Sequence, residues 1–352
     1  MKKGEIINGY TILKDFTTAG GGLSKWTFAE KGGREHFIKE FLSPTYPTDT
    51  SSGSEQTKRN KRKQCDAFES HHRMLMAKLS GRAGDGGNLI VTTDFFRNAA
   101  KYYKITEKVD VKGLRITDIA AATWERKIII LLTVAHSVRI LHQADVVHGD
   151  LKPDNILIKQ SATGSYVAKL IDFDNSYVSG KPPANADDTV GDPVYYSPEL
   201  FRYVVGDKSA SPKSLQLKSD IFALGLIYCE FLTGKLPSFD RKKYQYACEV
   251  VNAGDSLSPT GIAEPVKTLI LKMLHPVYEQ RPTIDEVFVT LKTGSLPTPP
   301  EPVSAPKGRG TLGGTLMKKA VSSGSEKGPL DGKDVPSKGR GLSGTLIRPK
   351  AL

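Results

Sequence analysis

Residues 148–155 read His148-Gly149-Asp150-Leu151-Lys152-Pro153-Asp154-Asn155, and seventeen residues past Asn155 stands Asp172-Phe173-Asp174. The first stretch follows a long apolar segment, Trp124 to His142, that predicts a helix. It precedes a short strand, Ile156–Ile158, and the second stretch closes another, Val167–Asp172. Taken singly, an Asp or Asn at the end of an element does no more than cap a loop. The ordered set HGDLKPDN and then DFD, each at its own element boundary, is too specific for loop caps alone.

Outward from this centre the chain divides into two halves. The N-terminal half has period-2 alternation: Tyr10–Lys14, a glycine cluster, Trp26-Thr27-Phe28-Ala29 and His36–Phe41. Residues 43–60 are polar with Pro, Ser and Thr and read as a loop. Apolar residues then recur at Cys65, Phe68, Leu75, Met76 and Leu79, with His72 in the same stripe, which predicts a helix. Strands are expected at Asn88–Phe96 and Tyr102–Glu107. The C-terminal half is mainly helical, with Trp124–His142, Ser219–Leu232 (Ser219 as N-cap), Glu264–Leu274 and Thr283–Leu291. The class is α+β: a small β-rich lobe, a larger helical lobe, and a cleft between them suited to a ligand.

The motif set and this order of elements resemble the eukaryotic-like (Hanks-type) serine/threonine protein kinase family over residues 10–294. The resemblance implies a bilobal fold, with an N-lobe at 10–107, a C-lobe at 111–294 and an N-terminal extension at 1–9. It implies ATP-dependent phosphorylation of Ser/Thr hydroxyls on protein substrates. Phosphoryl transfer asks for neutralised phosphate oxygens, a bridging metal and an oriented nucleophile. In that frame Asp150 is the catalytic base, and Lys152 stabilises charge on the moving phosphoryl group. Asn155 and Asp172 are hard oxygen ligands for Mg²⁺, with Mn²⁺ as a substitute.

The same resemblance assigns the ATP site. Gly20-Gly21-Gly22 lets backbone amides approach phosphates, with the third loop glycine of the family replaced by Ser24 or Lys25. Trp26 opens the next strand, and Lys39 holds the α and β phosphates. Its carboxylate partner is expected on the following helix, as Glu69 rather than the shorter Asp66. Thr106 is the gatekeeper, and the backbone of Glu107 and Val109 meets the adenine.

Ser197-Pro198-Glu199, Asp220–Gly225 and Gln280-Arg281-Pro282-Thr283 resemble the substrate-docking platform of protein kinases, with Arg281 pairing Glu199 and Asp220 bracing the catalytic loop. They favour that class over a small-molecule phosphotransferase, and the joint presence of Lys39, Asp150, Lys152, Asn155 and Asp172 disfavours a nucleotide-binding pseudokinase scaffold. Three residues depart from the family. Gly149 replaces an Arg that pairs with an activation-loop phosphate, so activity is expected not to require phosphates at Ser176, Ser179 or Thr189. Asp174 replaces a Gly. Asp192 replaces a Thr, adding a carboxylate that would repel Asp150.

Composition narrows the class further. The 352 residues carry a formal charge of +12, of which residues 295–352 hold +6 and Lys58, Arg59, Lys61, Arg62 and Lys63 hold +5, leaving the rest nearly neutral. No aromatic residue is interleaved with the run at 58–63, so a stacking platform for nucleic acid is not indicated. The apolar stretch Ile128–Ala135, with one Thr, is eight residues, against the roughly 20 that span a bilayer. No apolar run follows Lys2 and Lys3, so a signal peptide is not expected. Cys65, Cys229 and Cys248 fit neither a disulfide framework nor a zinc site. The expectation is a soluble, cytoplasmic, bacterial protein. Residues 295–352 hold ten Gly, eight Pro and no aromatic residue and read as a disordered tail. A twofold motif, KGRG followed by GTL, places Thr315 and Thr345, with Thr311 nearby, as sites for a phosphothreonine-reading partner.

Overall fold

The computed structural model describes residues 1–18, 24–82, 87–109, 113–161, 164–183, 186, 189 and 191–293. Six strands form one antiparallel sheet in the order β1-β2-β3-β4-β6-β5: β1 (Ile6–Ile7), β2 (Tyr10–Ile12), β3 (Ser24–Lys31), β4 (Arg34–Phe41), β5 (Thr92–Asn98) and β6 (Lys101–Glu107). The β3–β4 hairpin turns through Gly32-Gly33, both at positive φ (61° and 77°), which a two-residue primed turn requires. Residues 1–9 are not an extension: Ile6 pairs with Thr11 and Ile7 with Tyr10, and buried Ile7 joins the sheet core.

The period of two sorts the sheet into two faces. Ile12, Ala29, Ile38, Tyr103 and Ile105 make one buried cluster. Phe41, Cys65, Phe95 and Tyr102 make another, against helix α1 (Glu55–Ser80). Lys39 and Lys104, one residue from Ile38 and from Tyr103 and Ile105, therefore fall on the second face. Helix α1 starts at Glu55, inside the segment read as a loop. Ser54 caps it, accepting from the Thr57 amide at 3.2 Å. The basic run 58–63 is thus helical.

The helical half contains α2 (Ile116–Ala120), α3 (Trp124–His142), α4 (Pro198–Val204), α5 (Lys218–Thr233), α6 (Ala247–Asn252), α7 (Val266–Met273) and α8 (Ile284–Thr293). Two small antiparallel pairs accompany them, β7 (Val146–Val147) with β10 (Tyr177–Val178), and β8 (Ile156–Gln160) with β9 (Tyr166–Leu170). α5 is buried nearly all round and shares one apolar core with α3, α7 and α8. Ser219 lies inside α5 rather than capping it, because its hydroxyl is drawn to Glu199.

The halves meet at a second place besides the chain following β6. Leu89 bridges Leu170 in parallel: the Ile90 amide donates to the Leu170 carbonyl, and the Leu170 amide to the Asn88 carbonyl, both at 2.8 Å. No helix among the described residues is long and apolar enough to cross a membrane. The tail, with Thr311, Thr315 and Thr345, and the loop glycines Gly20, Gly21 and Gly22 lie outside the described residues.

Candidate active site

Asp150 sits in the loop between β7 and β8, nearly buried, with its carboxylate fully engaged. Oδ1 accepts from the Asp192 amide at 3.0 Å. Oδ2 accepts from Lys152 Nζ at 3.0 Å and from Asn155 Nδ2 at 3.2 Å. Asn155 Nδ2 also donates to the Asp150 carbonyl at 2.7 Å. These bonds fix the rotamer of Asp150, as a proton acceptor in a defined direction needs.

The loop itself is braced from α5. Buried Asp220 accepts from the His148 amide at 2.8 Å, from the Gly149 amide at 3.3 Å, and bonds His142 Nε2 at 3.0 Å. The His148 ring donates from Nε2 to the Ile171 carbonyl at 3.0 Å and packs on Phe173, linking the loop to the DFD segment.

Asp172 follows β9 in the left-handed region, at φ 60° and ψ 67°. The Ile171 amide donates to the Asn155 carbonyl at 3.1 Å, so the two expected metal ligands ride on joined backbone. Among the described residues no group of three or more His, Cys, Asp or Glu side chains could enclose a metal. Two oxygen donors beside a phosphate site suit Mg²⁺, which takes one or two protein ligands and completes its shell with phosphate and water.

Lys39 is placed at the cleft by β4, and here the structure corrects the sequence reading. Glu69 does not reach it: Glu69 bonds Arg73 at 2.8 Å one turn along α1. Lys39 Nζ instead pairs with Asp174 Oδ2 at 2.6 Å and Asp172 Oδ1 at 3.0 Å. Lys104, on β6, bonds Asp174 as well and lies 3.5 Å from Asp172 Oδ1. Burial pushes the Lys39 ammonium down, but the charges of Asp174 and Asp172 more than offset it and raise it above the ordinary lysine value. Burial raises Asp174 less than Lys104 and Lys39 lower it, and it stays ionised. Of α1, His72 feels the charges of this group, packed against Phe41, Phe68 and Phe95. Burial lowers His72 to about 3, so it is neutral.

Above Lys39 lies an aromatic face. Trp26, directly across from Lys39, stacks on Phe37 with centroids 5.4 Å apart, and Phe28 meets both edge-on. Phe37 pairs with buried Thr106 across β4–β6, so the patch adjoins the gatekeeper position. Glu107 ends β6, its carboxylate bonded to Lys169 at 3.1 Å, and Val109 follows two residues on. The sequence reading missed Phe37, Lys104 and Asp174 as site residues. The alternation of β4 could have found the first; the strand register finds Lys104, and only the path of the turn after Asp172 brings Asp174 to both lysines.

A family model described as a protein kinase domain matches residues 57–290, well over half of the chain. The chain belongs to the protein kinase family. Of curated relatives, a putative serine/threonine-protein kinase/receptor of Acanthamoeba polyphaga mimivirus is 29% identical over 48% of this chain and 9% of its own length. The serine/threonine-protein kinase PknA of Corynebacterium glutamicum is 29% identical over 39% of this chain and 26% of its own. The Aurora kinase of Saccharomyces cerevisiae is 32% identical over 53% of this chain and 47% of its own. The chain thus spans less than half of each of these relatives, and they come from a virus, a bacterium and a yeast.

The kinase platform is held by a buried clamp. Arg281 Nη1 and Nη2 meet Glu199 Oε1 and Oε2 at 2.7 and 2.8 Å, and Ser219 Oγ donates to Oε1 at 2.8 Å. Burial raises the Glu199 carboxyl, but Arg281 more than compensates, and the net direction is downward.

The departures acquire physical reasons. Gly149 has φ +78°, and a Cβ there would run into the Asn175 carbonyl, so the kinase's backbone excludes any side chain at the family's Arg position. The Asp192 carboxylate accepts from the Val194 amide at 3.0 Å, while its own amide donates to Asp150 Oδ1 at 3.0 Å. Ser176 is buried, its hydroxyl donating to the His148 carbonyl at 2.9 Å, and Thr189 is buried too.

Proposed function

We propose that the protein is an ATP- and Mg²⁺-dependent serine/threonine protein kinase. The observation that carries this reading is the fully bonded Asp150, ordered by Lys152 and Asn155, on backbone joined to Asp172 and the lysine pair. In this reading Asp150 accepts the proton of a substrate Ser or Thr hydroxyl, and Lys152 offsets charge on the transferring group. Asn155 and Asp172 hold Mg²⁺, which supplies charge neutralisation at the phosphates when bound. The aromatic face of Trp26, Phe28 and Phe37 accepts the base, with the backbone of Glu107 and Val109 at its edge. Gly20, Gly21 and Gly22 cover the phosphates. Nothing in the site favours a scaffold or a small-molecule phosphotransferase.

Incubation with γ-labelled ATP and Mg²⁺ tests this. Wild type incorporates label on Ser or Thr, and Asp150→Ala does not; absence of incorporation in the wild type with exogenous protein substrates rejects the reading.

Two finer proposals accompany it. The three free, buried cysteines suit a reducing compartment, which we take to be the cytoplasm. Thr315 and Thr345 are autophosphorylation sites, each presenting a dianion to an Arg-lined, phosphothreonine-reading partner. Intact-mass analysis after ATP treatment tests the second; an unmodified tail on active enzyme rejects it.

A further inference from the structure

Lys39 and Lys104 stand directly opposite one another in the β4–β6 register. Like charges at opposed cross-strand positions repel. Both side chains are largely withdrawn from water, at 12% and 5% exposed, so solvent does little to screen them. The carboxylates that meet them come from a single loop. Asp174 bridges both ammonium groups with its two oxygens, and Asp172 Oδ1 lies 3.0 and 3.5 Å from them. α1 contributes none: Glu69 is spent on Arg73, and buried His72, which feels the cluster's charges, is neutral.

Taking the protein as a kinase, we infer that Asp174 is the positioning residue for Lys39 in place of a helix carboxylate, and that Lys104 is a second phosphate-facing cation of the same site. Two lysines against two carboxylates are balanced. With Asp172 given to a metal, two lysines face one carboxylate, and the surplus positive charge faces the phosphates. The device also explains the residue that replaces the family glycine: at position 174 only a carboxylate spans both lysines. Because Asp172 and Asp174 share one turn, the lysine and the metal ligand are set by the same backbone, with no contribution from the placement of α1.

The test uses the full-length protein and two readouts: steady-state kinetics with ATP, and calorimetric binding of ADP without metal. Asp174→Asn is expected to lower kcat at least tenfold while metal-free ADP binds as well as before or more tightly, since a negative charge has left the site. Asp174→Glu restores most of kcat. Lys104→Met is expected to weaken metal-free ADP at least fivefold. Glu69→Gln leaves both readouts within twofold. A merely structural Asp174 would instead weaken ADP binding and kcat together. The inference is overturned if Asp174→Asn keeps kcat within twofold, if Glu69→Gln is as damaging as Asp174→Asn, or if Lys104→Met leaves ADP affinity unchanged. Should Asp174→Asn fail to fold, Lys104→Met and Glu69→Gln decide alone. Metal-free ADP binding needs no phosphoryl transfer, so failure of the kinase reading, seen as no turnover in wild type, is separable from failure here.

Discussion

The amide of Asp192 donates to Asp150 Oδ1 at 3.0 Å while its own carboxylate turns back onto the amide of Val194 at the same distance. One residue thus orients Asp150, the proposed base, through its backbone and caps a turn through its side chain. Replacing the carboxylate by an amide keeps the acceptor, so Asp192→Asn should retain kcat within about threefold. Asp192→Ala leaves the Val194 amide without its acceptor and should cost about 1 kcal/mol of stability. Paired kinetic and denaturant measurements check both.

Removing the proposed proton acceptor should separate chemistry from binding. Asp150→Asn is expected to lower kcat by about 10²–10⁴, with the shift in melting temperature caused by ADP preserved. Loss of that shift would mean that Asp150 holds the ATP site together rather than serving the reaction.

The Glu199–Arg281 pair is buried on both sides, so removing either partner strands the other. Glu199→Ala and Arg281→Ala should each cost about 3–5 kcal/mol. The double variant should cost less than their sum, which urea unfolding of the four proteins measures.

Stability should depend on pH through His72. Its folded value is about 3 against an ordinary 6.5, so between these the unfolded chain binds the extra proton and stability falls as pH falls. One such group contributes at most about 1.4 kcal/mol per pH unit below 6.5, or roughly 2 kcal/mol by pH 5. His71, also lowered by burial, adds to the slope in the same direction. His72→Leu should therefore flatten the dependence of unfolding free energy on pH from 7 to 5 without abolishing it; an unchanged slope rejects this account.

Gly149 cannot carry a side chain where it is. Gly149→Ala should destabilise by about 1–3 kcal/mol and depress kcat through the neighbouring Asp150. With no Arg there, activity should survive Ser179→Ala within about twofold. Ser176→Ala and Thr189→Ala test packing rather than phosphorylation, because both residues are buried.

The grouping around Asp150 in the candidate site was legible because its residues sit in one continuous stretch. Asp150, Lys152 and Asn155 are bound to one another by local bonds, and Asp172 lies at the end of an evident strand. The clamp of Glu199 and Arg281, 82 residues apart, was legible only through the family pattern. The partner of Lys39 was not legible. Choosing Glu69 assumed that α1 turns that residue inward, but the helix face is set by Cys65, His72, Leu75 and Leu79, which bury, and Glu69 falls beside Arg73. Lys104 carries no local signal, since its proximity to Lys39, 65 residues away, exists only in the register of β4 and β6. The start of α1 was missed because Ser54 stands among other Ser and Thr residues, so its capping role was not distinct in the sequence.

The bridge between Leu89 and Leu170 gives the cleft a double spine, one strand of it the peptide after β6 and the other two backbone bonds of 2.8 Å. Sliding one lobe along the other would break both bonds; rocking about them would break neither. What such rocking would have to open is the far side, where Lys39 and Lys104 meet Asp172 and Asp174 and His71 Nε2 bonds the Ser176 carbonyl at 2.8 Å.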